Sequence, residues 1–149
     1  MNVVVDASVL VKWYVVEEDF EPEAEYLADE RFVLHAPELI IPEIGNILWK
    51  KHRRGELNAL DINKIITESG LENELTLHSH EPLFESSVKG AIETGQTVYD
   101  WMYLSLALAL STTFVTADRR FLNAIKTTRY ADHLLWIGDV HKLTLGQRL

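Results

Sequence analysis

Four acidic residues stand where a charge is out of keeping with its neighbours. Asp6 ends the run Val3, Val4 and Val5, and Asp118 follows Phe114 to Ala117, so each closes a segment of the buried-strand kind. Glu43 lies in APELIIPEIGNILWKK, where spacing by four puts it on one helix face with Leu39 and Ile47. Asp100 lies in TVYDWMYLSLALAL, a helix apolar nearly all round. Each has a plain alternative. Asp6 and Asp118 fit helix N-caps, and Glu43 fits a boundary glutamate reaching water. Asp100 fits a first-turn acid favoured by the helix dipole by about 0.3 to 1 kcal/mol. An unpaired buried carboxylate costs more than that, so Asp100 needs a partner.

Taken together, the four say more. Carboxylates brought within a few ångströms repel by about 1 kcal/mol per pair in water and about 4 kcal/mol at an effective dielectric of 20. Such a cluster takes up protons or cations. The chain has no cysteine, and none of its six histidines forms a ligand pair at helical spacing, which leaves oxygen donors and a hard divalent ion, Mg2+ or Mn2+. That chemistry is metal-assisted attack of water on a phosphodiester. Ser8 and Thr116 can orient a carboxylate or a water, though such hydroxyls equally close turns. Asn46, one turn from Glu43, can hydrogen-bond to it. Arg119 and Arg120 follow a site acid and can reach a phosphate, or serve only as surface residues. The basic run Lys50 to Arg54 ends a helix, where cations complement the dipole without any ligand.

The elements that must hold these residues alternate between strand and helix. Strands are expected at Val3 to Val5, Phe32 to His35, Glu74 to Leu77, Thr113 to Thr116 and Leu134 to Ile137. Helices are expected after Ser8, through the acidic run Glu17 to Glu30 with Ala24, Leu27 and Ala28 inward, and from Glu38 to Arg54 with Pro42 bending the first turn. Others should start at Asn58 or Asp61, at Pro82 and at Thr97. Trp49, Trp101, Tyr103 and Trp136 sit at core-like spacing, and His78 with His80 at a surface strand end. Strands joined by helices imply right-handed crossovers and a parallel sheet covered on both faces. The fold class is α/β, and ligands of such sheets bind beyond the carboxyl ends of the strands, where the strand order reverses.

At 149 residues, residues 1–149 are most simply one domain. A hydrophobic fraction of 47% with 25% charged residues is that of a globular protein. No leader is expected ahead of Asn2, and the longest nearly apolar stretch, Val98 to Leu110, is too short for a bilayer, so no membrane contact and a cytoplasmic location are expected. A net charge of −9 argues against binding nucleic acid through bulk positive potential, leaving only local basic patches.

In this order and at these separations, VVVDASVLVKW, PELIIPEIGNILW, YDWMYLSLALAL and FVTADRRF resemble the four acidic motifs of PIN-domain ribonucleases, most nearly the VapC-type toxins of prokaryotic toxin–antitoxin pairs. The resemblance spans about residues 2 to 140. It implies a three-layer α/β/α sandwich around a parallel sheet and an Mg2+- or Mn2+-dependent endoribonuclease acting on RNA. By motif it carries catalytic and metal-holding roles onto Asp6, Glu43, Asp100 and Asp118, with Ser8, Asn46 and Thr116 in supporting positions. It further implies a homodimer and a cognate antitoxin whose C-terminal segment covers the acidic site. Many relatives carry another acid shortly after the fourth motif acid; here Arg119, Arg120 and Phe121 follow Asp118. Two rivals remain. A response-regulator receiver domain would need an acidic pair near the first strand and a lysine after the last, and the chain has neither in place. A degenerate PIN-like module that only binds a partner is opposed by the four intact acids.

Overall fold

The computed structural model describes residues 1–16 and 19–143. Glu17 and Glu18 of the acidic run, and the last six residues of the expected domain, lie outside them. In chain order the elements are β1 (Asn2–Val5), α1 (Ala7–Leu10), α2 (Glu21–Tyr26), β2 (Val33–Pro37), α3 (Ile40–Arg53), α4 (Ala59–Glu68) and α5 (Leu71–Glu74). They continue with β3 (Thr76–His78), α6 (Phe84–Thr94), α7 (Val98–Ala109), β4 (Thr113–Thr116), α8 (Arg119–Ile125) and β5 (Leu134–Trp136). Short 3₁₀ turns follow α1 and β5 and precede α6 and β5.

The five strands form one parallel sheet in the order β3-β2-β1-β4-β5, flanked by helices as an α/β/α sandwich. Val3, Val4 and Val5 alternate between the two faces of the central strand, yet each is fully buried, so both faces are covered. From β1 the chain steps outward to β2 and β3, then crosses back to lay β4 on the other side of β1. The order therefore reverses between β1 and β4. The register Val5 to Val115 sets Asp6 beside Thr116 and aims both loops at that point. Buried α7 packs across β1, β2 and β4 and is held against α6 by the Ser87–Ser105 hydrogen bond at 3.1 Å.

Several expectations shift by a few residues, each for a local reason. Pro37 ends β2 from within, and α3 begins only at Ile40 because a proline is disfavoured deeper inside; Pro42 falls in the first turn and α3 runs unbroken. Asn58 is the cap of α4, with Asp61 reaching back to complete a capping box. Glu74 ends α5 rather than starting β3. In the acidic segment Ala24 and Leu27 are buried, whereas Ala28 is exposed because α2 stops at Tyr26. Trp49 is not core: it is half exposed under the Arg53 guanidinium, 4.8 Å from its ring centre. His78 and His80 are not surface residues either. Both are half-buried, and His78 Nε2 lies 2.9 Å from Nδ1 of buried His35 on the neighbouring strand. No helix among the described residues is long and apolar enough to cross a membrane.

Candidate active site

The carboxyl ends of β1 and β4 meet the start of α7 and the first half of α3 around a recess of about 260 Å³, lined by Asp6, Ser8, Glu43, Asn46, Asp100 and Asp118 among others. Four acids thus come from four elements to one opening. Asp6 and Asp118 do cap helices: Asp6 Oδ1 accepts the Val9 N–H at 3.2 Å, and Asp118 Oδ1 accepts those of Arg120 and Phe121 at 2.9 and 3.1 Å. The cap and the site are not alternatives. Capping through Oδ1 fixes each carboxylate at its strand end, and both residues still line the recess.

Asp6 is the most enclosed. Ser8 donates to its Oδ1 and Thr116 to its Oδ2, each at 2.5 Å, and Ser8 Oγ also accepts the Ala117 N–H at 3.0 Å, tying β1 to β4. Burial pushes the Asp6 carboxyl up to about 6, against the lowering effect of these hydrogen bonds. Glu43 is pushed up to about 7, chiefly by burial, with the charges of Asp6 and Asp100 adding to it. Its hydrogen-bond partner is the Tyr103 hydroxyl, which donates to Oε2 at 2.6 Å; Asn46 lines the recess from an exposed position instead. Tyr103, buried as expected, is therefore also part of the site, a role its core-like spacing concealed.

Asp100 and Asp118 are partly exposed. Thr97 caps α7 and donates to Asp100 Oδ2 at 2.7 Å, and Arg120 reaches the same oxygen at 3.2 Å while standing 3.9 Å from Asp118 Oδ2. Arg120 thus lies where a cation between these two acids would lie. Arg119 points elsewhere, stacked 3.7 Å over the Trp136 ring.

Among the described residues no three acidic or imidazole groups close on one point as a ready-made metal cluster. Each carboxylate is held in its own direction by hydrogen bonds. The donor set nevertheless suits a divalent ion. The ligands are all oxygen, and two of the carboxyls are raised toward neutrality by burial, a cost that a cation would remove. On the other side of the recess the Arg120 guanidinium pairs with Asp100 and Asp118.

Against known proteins, the family model described as PIN domain matches residues 3–126. The sequence is 34% identical over 121 residues to Ribonuclease VapC3 of Pyrobaculum aerophilum, covering 80% of this chain and 92% of that protein. In structure it resembles PAE2754 from Pyrobaculum aerophilum, with a TM-score of 0.66 at 24% identity, covering 95% of this chain and 97% of the other. It also resembles Mycobacterium tuberculosis VapC20, a sarcin-ricin-loop-cleaving toxin, with a TM-score of 0.59 at 15% identity over 83% of this chain and 95% of the other.

Proposed function

The chain belongs to the PIN-domain family, and on that premise we propose that it is a divalent-metal-dependent endoribonuclease, the toxin of a type II toxin–antitoxin pair. The observation that carries this reading is the convergence of Asp6, Glu43, Asp100 and Asp118 on one recess where the strand order reverses, two of them raised by burial. These four acids would hold Mg2+ or Mn2+. When bound, the ion supplies charge for the phosphate and lowers the pKa of a water.

The protein's own residues do the rest. Ser8 and Thr116 orient the Asp6 carboxylate, and Tyr103 keeps Glu43 Oε2 turned into the recess. Thr97 fixes Asp100 at the start of α7. Asn46 faces the same opening with an amide able to donate to a phosphate or a water. No side-chain nucleophile is required. A cognate antitoxin, a homodimer and a cytoplasmic location complete the reading; the first is supported by kinship to a VapC protein.

The test is cleavage of structured and unstructured RNA by antitoxin-free protein in Mg2+ or Mn2+, beside EDTA and an Asp6→Asn variant. Cutting should require the ion and the aspartate. Cutting that survives both the chelator and the substitution sinks the mechanism, and no cutting under any condition favours a PIN-like module that only binds a partner.

A further inference from the structure

One face of α3 passes from acid to base. Glu43, Ile47, Lys50, Lys51 and Arg54 follow one another at helical spacing, so the stripe that starts in the acidic recess ends in cations. The structure makes that stripe one wall of a second groove, of about 300 Å³, whose other wall carries Lys12 from the 3₁₀ turn after α1. Ser8 and Ile47 line both openings, so the two run into each other. At 1.5 Å rise per residue, Lys50 stands about 10 Å and Arg54 about 16 Å along the helix from Glu43.

A helix-end role explains cations at the close of α3, but not this arrangement. Lys12 comes from a separate element, and Arg53 of the same run turns away to stack on Trp49. Glu56 offsets part of the charge, 3.2 Å from Lys51 and 3.9 Å from Arg54. Lys50 lies on the same wall and adds to the positive side, in a chain whose net charge is −9. A polyanion held at an acidic recess is repelled there unless cations receive it on one side.

We propose that this basic groove is the path of the nucleic-acid strand, binding phosphates that flank the one placed in the acidic recess. The proposal rests on the ribonuclease reading above and extends it to how the strand is held and in which direction it leaves the site. Lys50, Lys51, Arg54 and Lys12 bind by charge, so the contribution is sequence-independent and salt-sensitive.

The experiment measures binding of a fluorescein-labelled twelve-nucleotide oligouridylate by anisotropy over a salt series, in an Asp6→Asn background to prevent cleavage. A Lys50→Gln, Arg54→Gln pair should weaken binding about tenfold or more at low salt. It should also flatten the plot of log affinity against log salt by about 0.7 for each cation lost. Arg53→Gln removes one positive charge from the other face and should leave the slope unchanged. With Asp6 intact, the paired variant should keep the parent's thermal shift on adding Mn2+, which separates loss of the groove from loss of the fold or the acidic site. An unchanged slope in the paired variant, or an equal loss in Arg53→Gln, overturns the proposal. So does loss of affinity for an oligoglutamate peptide with RNA binding intact, which would give the groove to an acidic protein segment. Should the parent bind and cut RNA with the paired variant's slope unaltered, only the groove falls; should the parent bind no RNA, the ribonuclease reading falls with it.

Discussion

The hydroxyl of Tyr103 donates to Glu43 Oε2 at 2.6 Å, joining α7 to α3 across the acidic recess. This bond opposes what burial does to Glu43, because it favours the ionised form that a cation needs. Tyr103→Phe removes the donor but keeps the ring, which stacks on Phe114 at 5.6 Å. A hydrogen bond to a charged group is worth about 1.5 to 3 kcal/mol, so the acid limb of the pH–activity profile in Mn2+ should move up by about one pH unit. Urea unfolding should lose at most about the same 1.5 to 3 kcal/mol. A profile that stays in place would mean the hydroxyl serves packing alone.

The raised acids also set a stability trend. Asp6 at about 6 and Glu43 at about 7 bind protons more tightly folded than unfolded. Their contribution is therefore fully present below about pH 4 and is lost as pH rises through 6 and 7. In EDTA, an Asp6→Asn, Glu43→Gln variant should gain on the parent between pH 4.5 and 7.5 by a few kcal/mol, read as a Tm difference on the order of 5 to 10 °C. Saturating Mg2+ should close the gap by stabilising the parent only. A difference that does not change with pH contradicts the burial argument.

The ends of β1 and β4 and the positions of the four acids are legible in the sequence because the signal is local: an apolar run interrupted by a carboxylate is a conflict visible within a dozen residues. What joins them is not. Thr116 meets Asp6, and Tyr103 meets Glu43, across separations of 110 and 60 residues. Tyr103 repeats the spacing of a core residue, so its hydroxyl carries no separate mark. His35 and His78 pair only because β2 and β3 are neighbours. The KKHRR run reads as a helix end until Lys12 is set opposite it.

Gly90 tests how the acidic recess depends on packing behind it. A Cβ there would lie 2.2 Å from Trp101 Cε3, a ring that is fully buried and follows Asp100 directly. Gly90→Ala must displace the indole or part α6 from α7, which costs about 1 to 3 kcal/mol or more. Because α7 carries Asp100 and Tyr103, Mn2+ affinity should fall together with the urea midpoint. Gly95→Ala is the comparison: it meets no atom within 4 Å but strains a φ of +69°, so it should lose about 1 kcal/mol and leave the ion affinity intact. Equal effects of the two on Mn2+ binding would refute the link.

Arg120 supplies the sharpest test of the cation argument. Its guanidinium stands 3.2 Å from Asp100 Oδ2 and 3.9 Å from Asp118 Oδ2, so a divalent ion entering between these acids meets a positive charge already in place. The side chain is largely exposed, which limits the competition to the 0.2 to 1 kcal/mol usual for solvent-facing pairs. Arg120→Ala should accordingly bind Mn2+ about two- to fivefold more tightly by calorimetric titration, with the advantage shrinking as salt is raised. Arg120→Lys, which keeps the charge on a different head group, should stay near the parent. If the alanine variant binds Mn2+ no better, or less well, then Arg120 is not a competing counter-ion. Its contact with Asp100 would then hold that carboxylate in the position the ion uses.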